Sequence, residues 1–139
     1  MTLDIVTPEK IIFQGDVDEI YVNTADGEIG ILPHHINLFT KLIPGELKLK
    51  LLGKEQYMAI TDGFLEVNNN KVTILTDYAI HAEDIEVEKV MEARKKAEEI
   101  LKKKESRITK QEFALAEAAF KRAVAELKVA NHKHKRPMH

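Results

Sequence analysis

The sequence predicts a β-rich domain followed by helices: an N-terminal antiparallel β-sandwich and a C-terminal antiparallel α-helical hairpin. Up to about Ile80 the apolar residues alternate with a period of two, as in strands with one buried face. Turn residues separate these runs about every eight to twelve positions, which favours an antiparallel sandwich or barrel. From Glu83 to Asn131 the chain contains neither glycine nor proline, and Ala, Glu, Lys, Arg and Leu dominate, as in helices.

The first part contains a series of predicted strands. Each is a short run rich in apolar and β-branched residues, bounded by Gly, Pro, Asn or Asp. The segment from Asn68 to Asn70 is predicted to form the tip of the last hairpin. We expect this domain to span residues 1–81, with strands at 3–7, 10–13, 19–22, 47–51, 57–60, 64–67 and 71–75.

Two amphipathic helices are predicted after the strands. Asp84 is expected to cap the first helix, and the segment Thr109 to Glu112 has the form of a capping box that opens the second. A short polar segment, Lys102 to Arg107, joins them, which favours an antiparallel hairpin over residues 84–131. The apolar positions recur at spacings of three and four: Val90, Ala93, Ala97 and Leu101 on the first helix, and Phe113, Ala116, Phe120, Ala123 and Leu127 on the second.

Both apolar stripes are narrow and rich in alanine. Burying a large aliphatic side chain is worth roughly 1.5–3 kcal/mol, whereas alanine contributes much less. The hairpin is therefore expected to be marginally stable alone and to be able to move away from the surface on which it docks. Residues 132–139 are polar and basic, and we expect them to form a flexible tail.

The composition excludes several classes of site. The 139 residues are 44% hydrophobic, which supports a core, and the aromatic share of 6% makes that core aliphatic. Without cysteine there is neither a disulfide, nor a thiolate metal site, nor a cysteine nucleophile. No apolar run is long enough to span a membrane and the first residues do not resemble a signal peptide. We expect a protein that reaches a membrane only through partners.

The charge is unevenly distributed between the two parts. Residues 1–81 carry 12 acidic and 6 basic side chains, whereas residues 82–139 carry 11 acidic and 15 basic ones. Two differently charged parts suggest two surfaces with different partners. Nucleic acid is an unfavourable partner, because the basic half is nearly balanced by acids and has only Phe113 and Phe120 as aromatics. The chain also lacks a P-loop, zinc-ligand spacing, a hydrolase elbow and a dinucleotide-binding turn, so no catalytic or metal site is predicted.

One motif, from Gly27 to His35, carries most of the functional information. Gly27 and Gly30 bracket a Glu-Ile pair, and Pro33 ends the run before two histidines. Glycine suits positive φ or close approach, and proline fixes φ. The motif is predicted to be a tight, rigid loop that presents Glu28 and His35. From the residues alone, the two side chains are simply exposed on a loop, and an enzymatic acid–base pair is a poor alternative because no third polar group or nucleophile accompanies them.

This motif resembles the glycine-Glu-Ile/Leu-glycine-apolar-X-Pro-Gly-His signature of the epsilon subunit of F-type ATP synthases. The resemblance covers essentially the whole chain, including Pro44-Gly45-Glu46 and Thr61-Asp62-Gly63-Phe64. It implies that Glu28 and His35 contact the polar loop of the rotor c-ring, on a backbone set by Gly27, Gly30 and Pro33. The chain departs from the signature at His34, where the family usually has glycine, and at Asn37, which replaces a common proline.

The resemblance also implies partners and a role. The chain would lie on the central stalk against the gamma subunit, at the cytoplasmic face of the bacterial plasma membrane, and would help couple proton-driven rotation to the alpha/beta catalytic hexamer without performing chemistry. The hairpin would extend towards the hexamer and restrain ATP hydrolysis through its basic residues, with Arg94, Lys95, Lys96 and Arg122 as the expected contacts. From the residues alone, the same cations fit a solvated helix face with Glu–Lys pairs one turn apart. A general protein–protein adaptor remains an alternative.

ATP binding is a further alternative that the resemblance raises. Some bacterial epsilon subunits bind ATP through an Ile/Leu-Asp-X-X-Arg-Ala motif that opens the first helix, with further arginines on the second. Here Glu86 replaces the aspartate and Lys89 the arginine, and lysine lacks the bidentate fork of arginine. Arg122 remains on the second helix, but Glu126 follows one turn later. We expect ATP to bind weakly or not at all, and no other cofactor.

Overall fold

The computed structural model describes residues 1–103 and 108–132. Within these ranges the chain forms nine strands, a 3₁₀ turn (Ala82–Asp84) and two helices, α1 (Val87–Leu101) and α2 (Lys110–Ala130). The strands are β1 (Thr2–Val6), β2 (Ile11–Asp16), β3 (Glu19–Thr24), β4 (Gly27–Ile31), β5 (Leu38–Leu51), β6 (Lys54–Ile60), β7 (Gly63–Asn68), β8 (Lys71–Thr76) and β9 (Ala79–His81). The predicted fold class, an antiparallel β-sandwich followed by a helical hairpin, is confirmed.

One long strand, β5, links the two layers of the sandwich. Its first part pairs with β7, and its second part pairs with β3 and β6. Between them the register with β3 shifts by several residues around Pro44-Gly45, where the chain bends from one layer to the other. The strand order is β2-β1-β8-β7-β5-β3-β4, with β6 on β5 and β9 on β6. The described pairs are antiparallel except β1 and β8, which are parallel.

The core between the layers is aliphatic. Alternate residues on each strand point inwards, which is the period-two pattern that the sequence shows. The largest side chains with almost no exposed surface in the sandwich are Leu3, Ile5, Ile20, Ile31, Leu42, Leu47, Leu49, Met58, Ile60, Leu65 and Ile74. Each such burial is worth roughly 1.5–3 kcal/mol, so this cluster supplies a rigid base for the turns around it.

The prediction of a loop over the whole of the Gly27 motif was wrong. Residues Gly27–Ile31 form strand β4, which pairs along its length with β3, from Ile20 opposite Ile31 to Thr24 opposite Gly27. The local glycines suggested a loop, but pairing with a neighbouring strand and burial of Ile31 outweigh that local preference. Strand β9 and the first half of β5 were not predicted either.

The strand registers place several turns at one end of the sandwich. Ile20, at the start of β3, lies opposite both Ile31 near the end of β4 and Leu49 near the end of β5. Thr2 lies opposite both Asp16 and Lys71. The connecting segments 16–18, 32–37, 52–53 and 69–70 therefore come together, and we call them the turn end.

The first helix does not begin as predicted. Asp84 belongs to the 3₁₀ turn, and Glu86 occupies the N-cap position of α1. The tight turn from β9 to α1 shifts the helix start by two residues, because Ile85 is drawn into a buried position. The predicted cap of α2 is confirmed: the Thr109 hydroxyl accepts a hydrogen bond of 3.0 Å from the Glu112 backbone N–H.

The hairpin packs on the sandwich through a second apolar cluster. Helix α2 contacts α1 and strands β5 and β6. In the cluster Ala59 of β6 meets residues of the 3₁₀ turn and helices: Ala82, Ile85, Val90, Ala123, Val129 and Ala130. Helix α2 is therefore covered by α1 on one side and by the sandwich on another, whereas the sequence predicted a single apolar stripe. Ala116 and Ala123 are buried as expected, but Phe113 and Ala93 are exposed.

Two predicted segments lie partly outside the described residues. Residues 104–107 belong to the predicted connection between the helices, and residues 133–139 belong to the predicted tail. His132 is described and contacts the sandwich. Among the residues that the structure describes, no helix is both long and apolar enough to cross a bilayer.

Candidate functional site

Strand β4 presents Glu28 on an open edge of the sheet. The strand is the last in the sheet order, so only one of its sides is paired. Glu28 is exposed and lies opposite Asn23. The preceding turn is held by Thr24, whose hydroxyl donates to the Gly27 carbonyl at 2.7 Å and accepts from the Asp26 N–H at 3.1 Å. Gly27 has a φ of 117°, which explains the glycine at this position.

Gly30 is required by the ring of Tyr21. The two residues lie opposite each other on β4 and β3, and a Cβ at Gly30 would lie 2.9 Å from Cε1 of the ring. The Tyr21 hydroxyl donates to Glu19, and this hydrogen bond raises the pKa of Tyr21. Lys48 Nζ lies 5.3 Å from the ring centroid on the neighbouring strand. The second glycine of the motif therefore allows an aromatic ring to lie flat across the edge strand.

A type II β-turn follows the strand. The His35 N–H donates to the Leu32 carbonyl at 3.1 Å, with Pro33 and His34 as the central residues. His34 has a φ of 65°, the left-handed value that this turn requires at its third position. Glycine is the usual residue there, so the turn explains why the family signature has glycine where this chain has His34.

Asparagine side chains hold this turn against the β7–β8 hairpin. The His34 N–H donates to Asn70 Oδ1 at 2.8 Å, and the Asn69 N–H donates to Asn37 Oδ1 at 2.9 Å. Asn69 and Asn70 themselves form a two-residue turn, with φ values of 50° and 64°. Asn37, the second departure from the family signature, thus connects the motif to a neighbouring hairpin.

Glu28 and His35 lie at opposite ends of β4. Ile31 lies three positions after Glu28, roughly 10 Å along the strand, and the turn then carries His35 further. His35 is partly buried, with Nδ1 2.8 Å from the Ile36 carbonyl oxygen. The two predicted contact residues are therefore not a close pair, and a partner that meets both must lie along the open edge of β4.

An exposed apolar patch covers the outer face of β5, β7 and β8. The rings of Phe39 and Phe64 stack with centroids 5.6 Å apart, and Leu75 lies opposite Phe64. All three side chains are more than a third exposed. This patch was not predicted from the sequence, although apolar residues at successive positions of β5, such as Leu42 and Ile43, indicate that both faces of the strand carry apolar groups.

Arg122 lies in the interface between the hairpin and the sandwich. Its guanidinium carbon is 3.4 Å from the centroid of the Tyr78 ring, and its Nε is 2.9 Å from Oε1 of Glu126. Glu126 is buried. Burial and the charge of Glu126 raise the pKa of Tyr78. In this arrangement Arg122 contacts residues of its own chain, which was not predicted from the sequence.

The other predicted contacts of the hairpin lie on its solvent-exposed surface. Arg94 pairs with Glu98 at 3.2 Å and lies 5.8 Å from the Phe120 ring centroid. Lys96 lies 3.9 Å from Glu92. Lys95 is exposed and borders a groove between the helices that Met91 and Leu127 also line. Exposed pairs of this kind are worth less than about 1 kcal/mol each, so they are easily exchanged for contacts with a partner.

The three residues considered for ATP line one cleft. Glu86, Lys89 and Arg122 surround a cavity of about 460 Å³ between the helices and the sandwich. Lys89 Nζ is 2.7 Å from Glu86, and this hydrogen bond raises the pKa of Lys89. Arg122 pairs with Glu126, and Asp84 also lines the cleft. Both cations are thus paired with carboxylates, which disfavours a triphosphate.

His132 fixes the C-terminal end of α2. Its ring stacks on Tyr57 with centroids 3.6 Å apart and planes 4° apart. Its Nε2 lies 2.9 Å from a carboxylate oxygen of Glu46. Although the sequence analysis assigned His132 to the flexible tail, it therefore contacts both β5 and β6.

These features define a class of protein: an interaction module whose rigid sandwich carries a docked helical hairpin. Within residues 1–103 and 108–132 no group of His, Asp or Glu is arranged to hold a metal ion. The exposed side chains instead form an edge strand, a clamped turn and an aromatic patch, which are features of protein contacts.

Comparison with known proteins identifies the family. The beta-sandwich domain of the ATP synthase delta/epsilon chain matches residues 1–82, and the long alpha-helix domain of the same chain matches residues 83–131. The ATP synthase epsilon chain of Dehalococcoides mccartyi strain BAV1 is 39% identical over 137 residues, which cover 99% of this chain and 96% of that relative. The epsilon chain of Brevibacillus brevis is 41% identical over 102 residues, covering 73% and 77%.

Solved structures show the same architecture. A chain in the cryo-EM structure of Euglena gracilis mitochondrial ATP synthase, OSCP/F1/c-ring in rotational state 1, is 28% identical with a TM-score of 0.78 and covers 94% of this chain and 80% of its own length. A chain from the central stalk and c-ring of Tetrahymena thermophila mitochondrial ATP synthase, at 17% identity and a TM-score of 0.58, shares the fold over 93% and 95%. The chain described here belongs to the ATP synthase epsilon chain family and is a non-catalytic subunit of the central stalk of that complex.

Proposed function

We propose that this chain couples the rotor to the catalytic hexamer at the cytoplasmic face of the bacterial plasma membrane, and that the edge of β4 is its contact with the c-ring. The observation that carries the proposal is the rigid presentation of Glu28 and His35. Gly27, Gly30 and Pro33 fix the strand and its turn, and two asparagine hydrogen bonds clamp that turn to a second hairpin. A rigid contact transmits torque, whereas a mobile loop would absorb it.

The gamma subunit is the proposed partner of the aromatic patch. Phe39, Phe64 and Leu75 form a contiguous exposed apolar surface on a different face from the edge of β4. Such a surface supports stable association, because binding removes it from water. Contacts on two faces would let the sandwich hold the ring and the stalk at the same time.

The hairpin is the proposed regulatory element. Arg94, Lys95 and Lys96 are exposed while the hairpin is docked, and Arg122 is held by Tyr78 and Glu126. Undocking would separate Arg122 from Tyr78 of the sandwich, so that all four cations become available to acidic segments of the alpha/beta hexamer. The proposed result is restraint of ATP hydrolysis by the undocked form.

ATP is not proposed as a main ligand, and we propose no other cofactor. The support for this is the pairing of Lys89 with Glu86 and of Arg122 with Glu126 in the cleft that would hold the phosphates. Calorimetric titration of the full chain with Mg-ATP tests the point. Weak or absent binding is expected, and tight binding would make a nucleotide sensor the better account.

The rotor contact is tested with a double variant, Glu28→Ala with His35→Ala. We expect about tenfold weaker binding to a rotor ring carrying gamma, and reduced ATP-driven proton pumping in the reassembled enzyme, since both predicted contacts are lost. Glu9→Ala removes an exposed carboxylate from the opposite end of the sandwich and serves as the matched control. Unchanged binding by the double variant would contradict the proposed contact.

A further inference from the structure

The left-handed backbone positions of the chain are concentrated at one place. Within the described residues, His34, Leu52, Asn69 and Asn70 are the non-glycine residues with positive φ, and all four belong to the turn end. Asparagine and histidine are enriched in this conformation, but leucine adopts it at a cost in backbone strain. Residues that break a local rule in this way are most often found where function requires them.

Leu52 is the clearest case. It forms a two-residue turn with Gly53 between β5 and β6, with φ values of 52° and 75°. Asparagine-glycine is the favoured sequence for such a turn. Leu52 is instead 91% exposed, and its N–H donates to Asp18 Oδ2 at 3.0 Å. The turn thus holds a fully hydrated leucine in a strained conformation on a rigid support.

Two further aliphatic side chains lie at the same end. Ile36 is 79% exposed and Leu32 is 49% exposed, and both belong to the clamped turn that carries His35. Leu32 follows β4 and Leu52 follows β5, and these strands flank β3, so their ends are roughly 10 Å apart. The three side chains therefore extend the proposed rotor-contact surface from His35 across the turn end.

We propose that Leu52, with Ile36 and Leu32, is an apolar extension of the rotor-ring contact and binds the loops that the ring presents to the stalk. This inference rests on the proposed function, because the partner is assigned through continuity with His35. A loop with long polar side chains fits such a surface: their aliphatic stems cover the leucine and isoleucine while their polar heads stay hydrated. Polar groups such as Asp18, next to Leu52, then surround the apolar contact.

The decisive variant is Leu52→Asn, because function and stability are expected to change in opposite directions. Asparagine suits the left-handed turn, so the full chain should melt about 2–4 °C higher. Loss of the leucine should weaken binding to the gamma-bearing rotor ring about tenfold. Leu115→Gln, which removes a leucine that is 65% exposed on α2, is the matched control and should leave ring binding unchanged.

The outcomes separate this inference from the function on which it rests. If Leu52→Asn binds the ring normally while the Glu28 and His35 double variant binds weakly, the turn end is not part of the contact and the inference fails alone. If neither variant affects binding, both fail. If the Leu52→Asn protein melts at a lower temperature, Leu52 is a structural residue. If the native chain forms a dimer that Leu52→Asn abolishes, Leu52 serves self-association. Either result overturns the inference.

Discussion

At the level of single residues, Gly30 shows how one missing side chain shapes the candidate site. We predict that Gly30→Ala destabilises the protein by about 1–2 kcal/mol, because a Cβ 2.9 Å from the Tyr21 ring forces the ring away from Glu19. Chemical denaturation monitored by circular dichroism measures the change. Gly15→Ala is the matched control: its Cβ would meet Phe13 at 3.8 Å, an ordinary contact. Equal effects of the two substitutions would contradict this account.

Tyr57 gives the protein a pH-dependent contribution to stability. Its hydroxyl donates to Glu55, and this hydrogen bond, aided by partial burial, raises the pKa of Tyr57 to about 12 from the ordinary 10.0. Because the folded state holds this proton more tightly than the unfolded chain, the contribution is complete below pH 10 and is lost as the pH rises through about 12.

The prediction is a tyrosine ionisation near pH 12 in the ultraviolet absorbance titration, absent in Tyr57→Phe. Glu55→Gln should move this ionisation back towards the ordinary range, because the carboxylate that favours the protonated hydroxyl is gone. Tyr78→Phe is the control, since it removes a tyrosine that does not contact Glu55. An ionisation near pH 12 that persists in Tyr57→Phe would contradict the assignment.

The sequence located the important residues better than it described their geometry. Gly27, Gly30, Pro33 and His34 were singled out from spacing and resemblance. The structure gives a reason for each: a positive φ at Gly27, a ring contact at Gly30, and a type II turn at Pro33 and His34. Spacing cannot show that the Asn70 side chain holds this turn, since 36 residues separate the partners. Contacts of that kind depend on the register of distant strands.

At the level of elements, the docked helix α2 depends on the pair formed by Arg122 and Glu126. We predict that Arg122→Ala weakens docking of α2 by about 2 kcal/mol, because it leaves a buried carboxylate without its cation. Hydrogen exchange of the amides between Ala123 and Ala130 measures the docking equilibrium. These amides should exchange faster while those of β1 and β8 keep their rates.

A neighbouring pair supplies the control for that experiment. Lys121 pairs with Glu117 at 3.4 Å on the exposed side of the same helix. Lys121→Ala should change docking by less than about 0.5 kcal/mol, because exposed pairs contribute little. If both substitutions accelerate exchange equally, the loss of any cationic side chain from α2, rather than of the buried pair, determines docking.

Helices and strands were predicted well where the residues that define them are close in sequence, and poorly where distant contacts decide. The capping box at Thr109 was correct because the Thr and Glu that define it lie within one turn of helix. The cap at Asp84 was wrong because docking of Ile85 on the sandwich decides where α1 begins. Strand β4 was missed because its glycines resemble a loop until β3 supplies the pairing partner.

At the level of the whole molecule, the sandwich and the hairpin are held together by contacts of modest strength. The shared cluster is rich in alanine, and its polar contacts are Arg122 on Tyr78 and His132 on Tyr57 and Glu46. The sandwich core, by contrast, is a large aliphatic cluster, and the strands that contribute to it are hydrogen-bonded to one another. Undocking therefore requires much less free energy than unfolding of the sandwich, and this difference is what a movable regulatory element needs.

A deletion and a substitution with opposite expected effects test whether the undocked hairpin restrains ATP hydrolysis. Removing residues 84–139 from the assembled enzyme eliminates the hairpin. If at least half of the enzyme molecules carry the hairpin in its restraining form, the rate of ATP hydrolysis should rise by about twofold or more. Tyr78→Ala keeps the whole element but removes the ring of the sandwich on which Arg122 packs, which favours undocking, so hydrolysis should fall. Both are measured as ATP turnover of the reassembled complex, with the stalk subunits quantified to show that assembly is intact. Two rises in hydrolysis, or none, would contradict the proposed regulation, because only an element that acts when undocked gives changes of opposite sign.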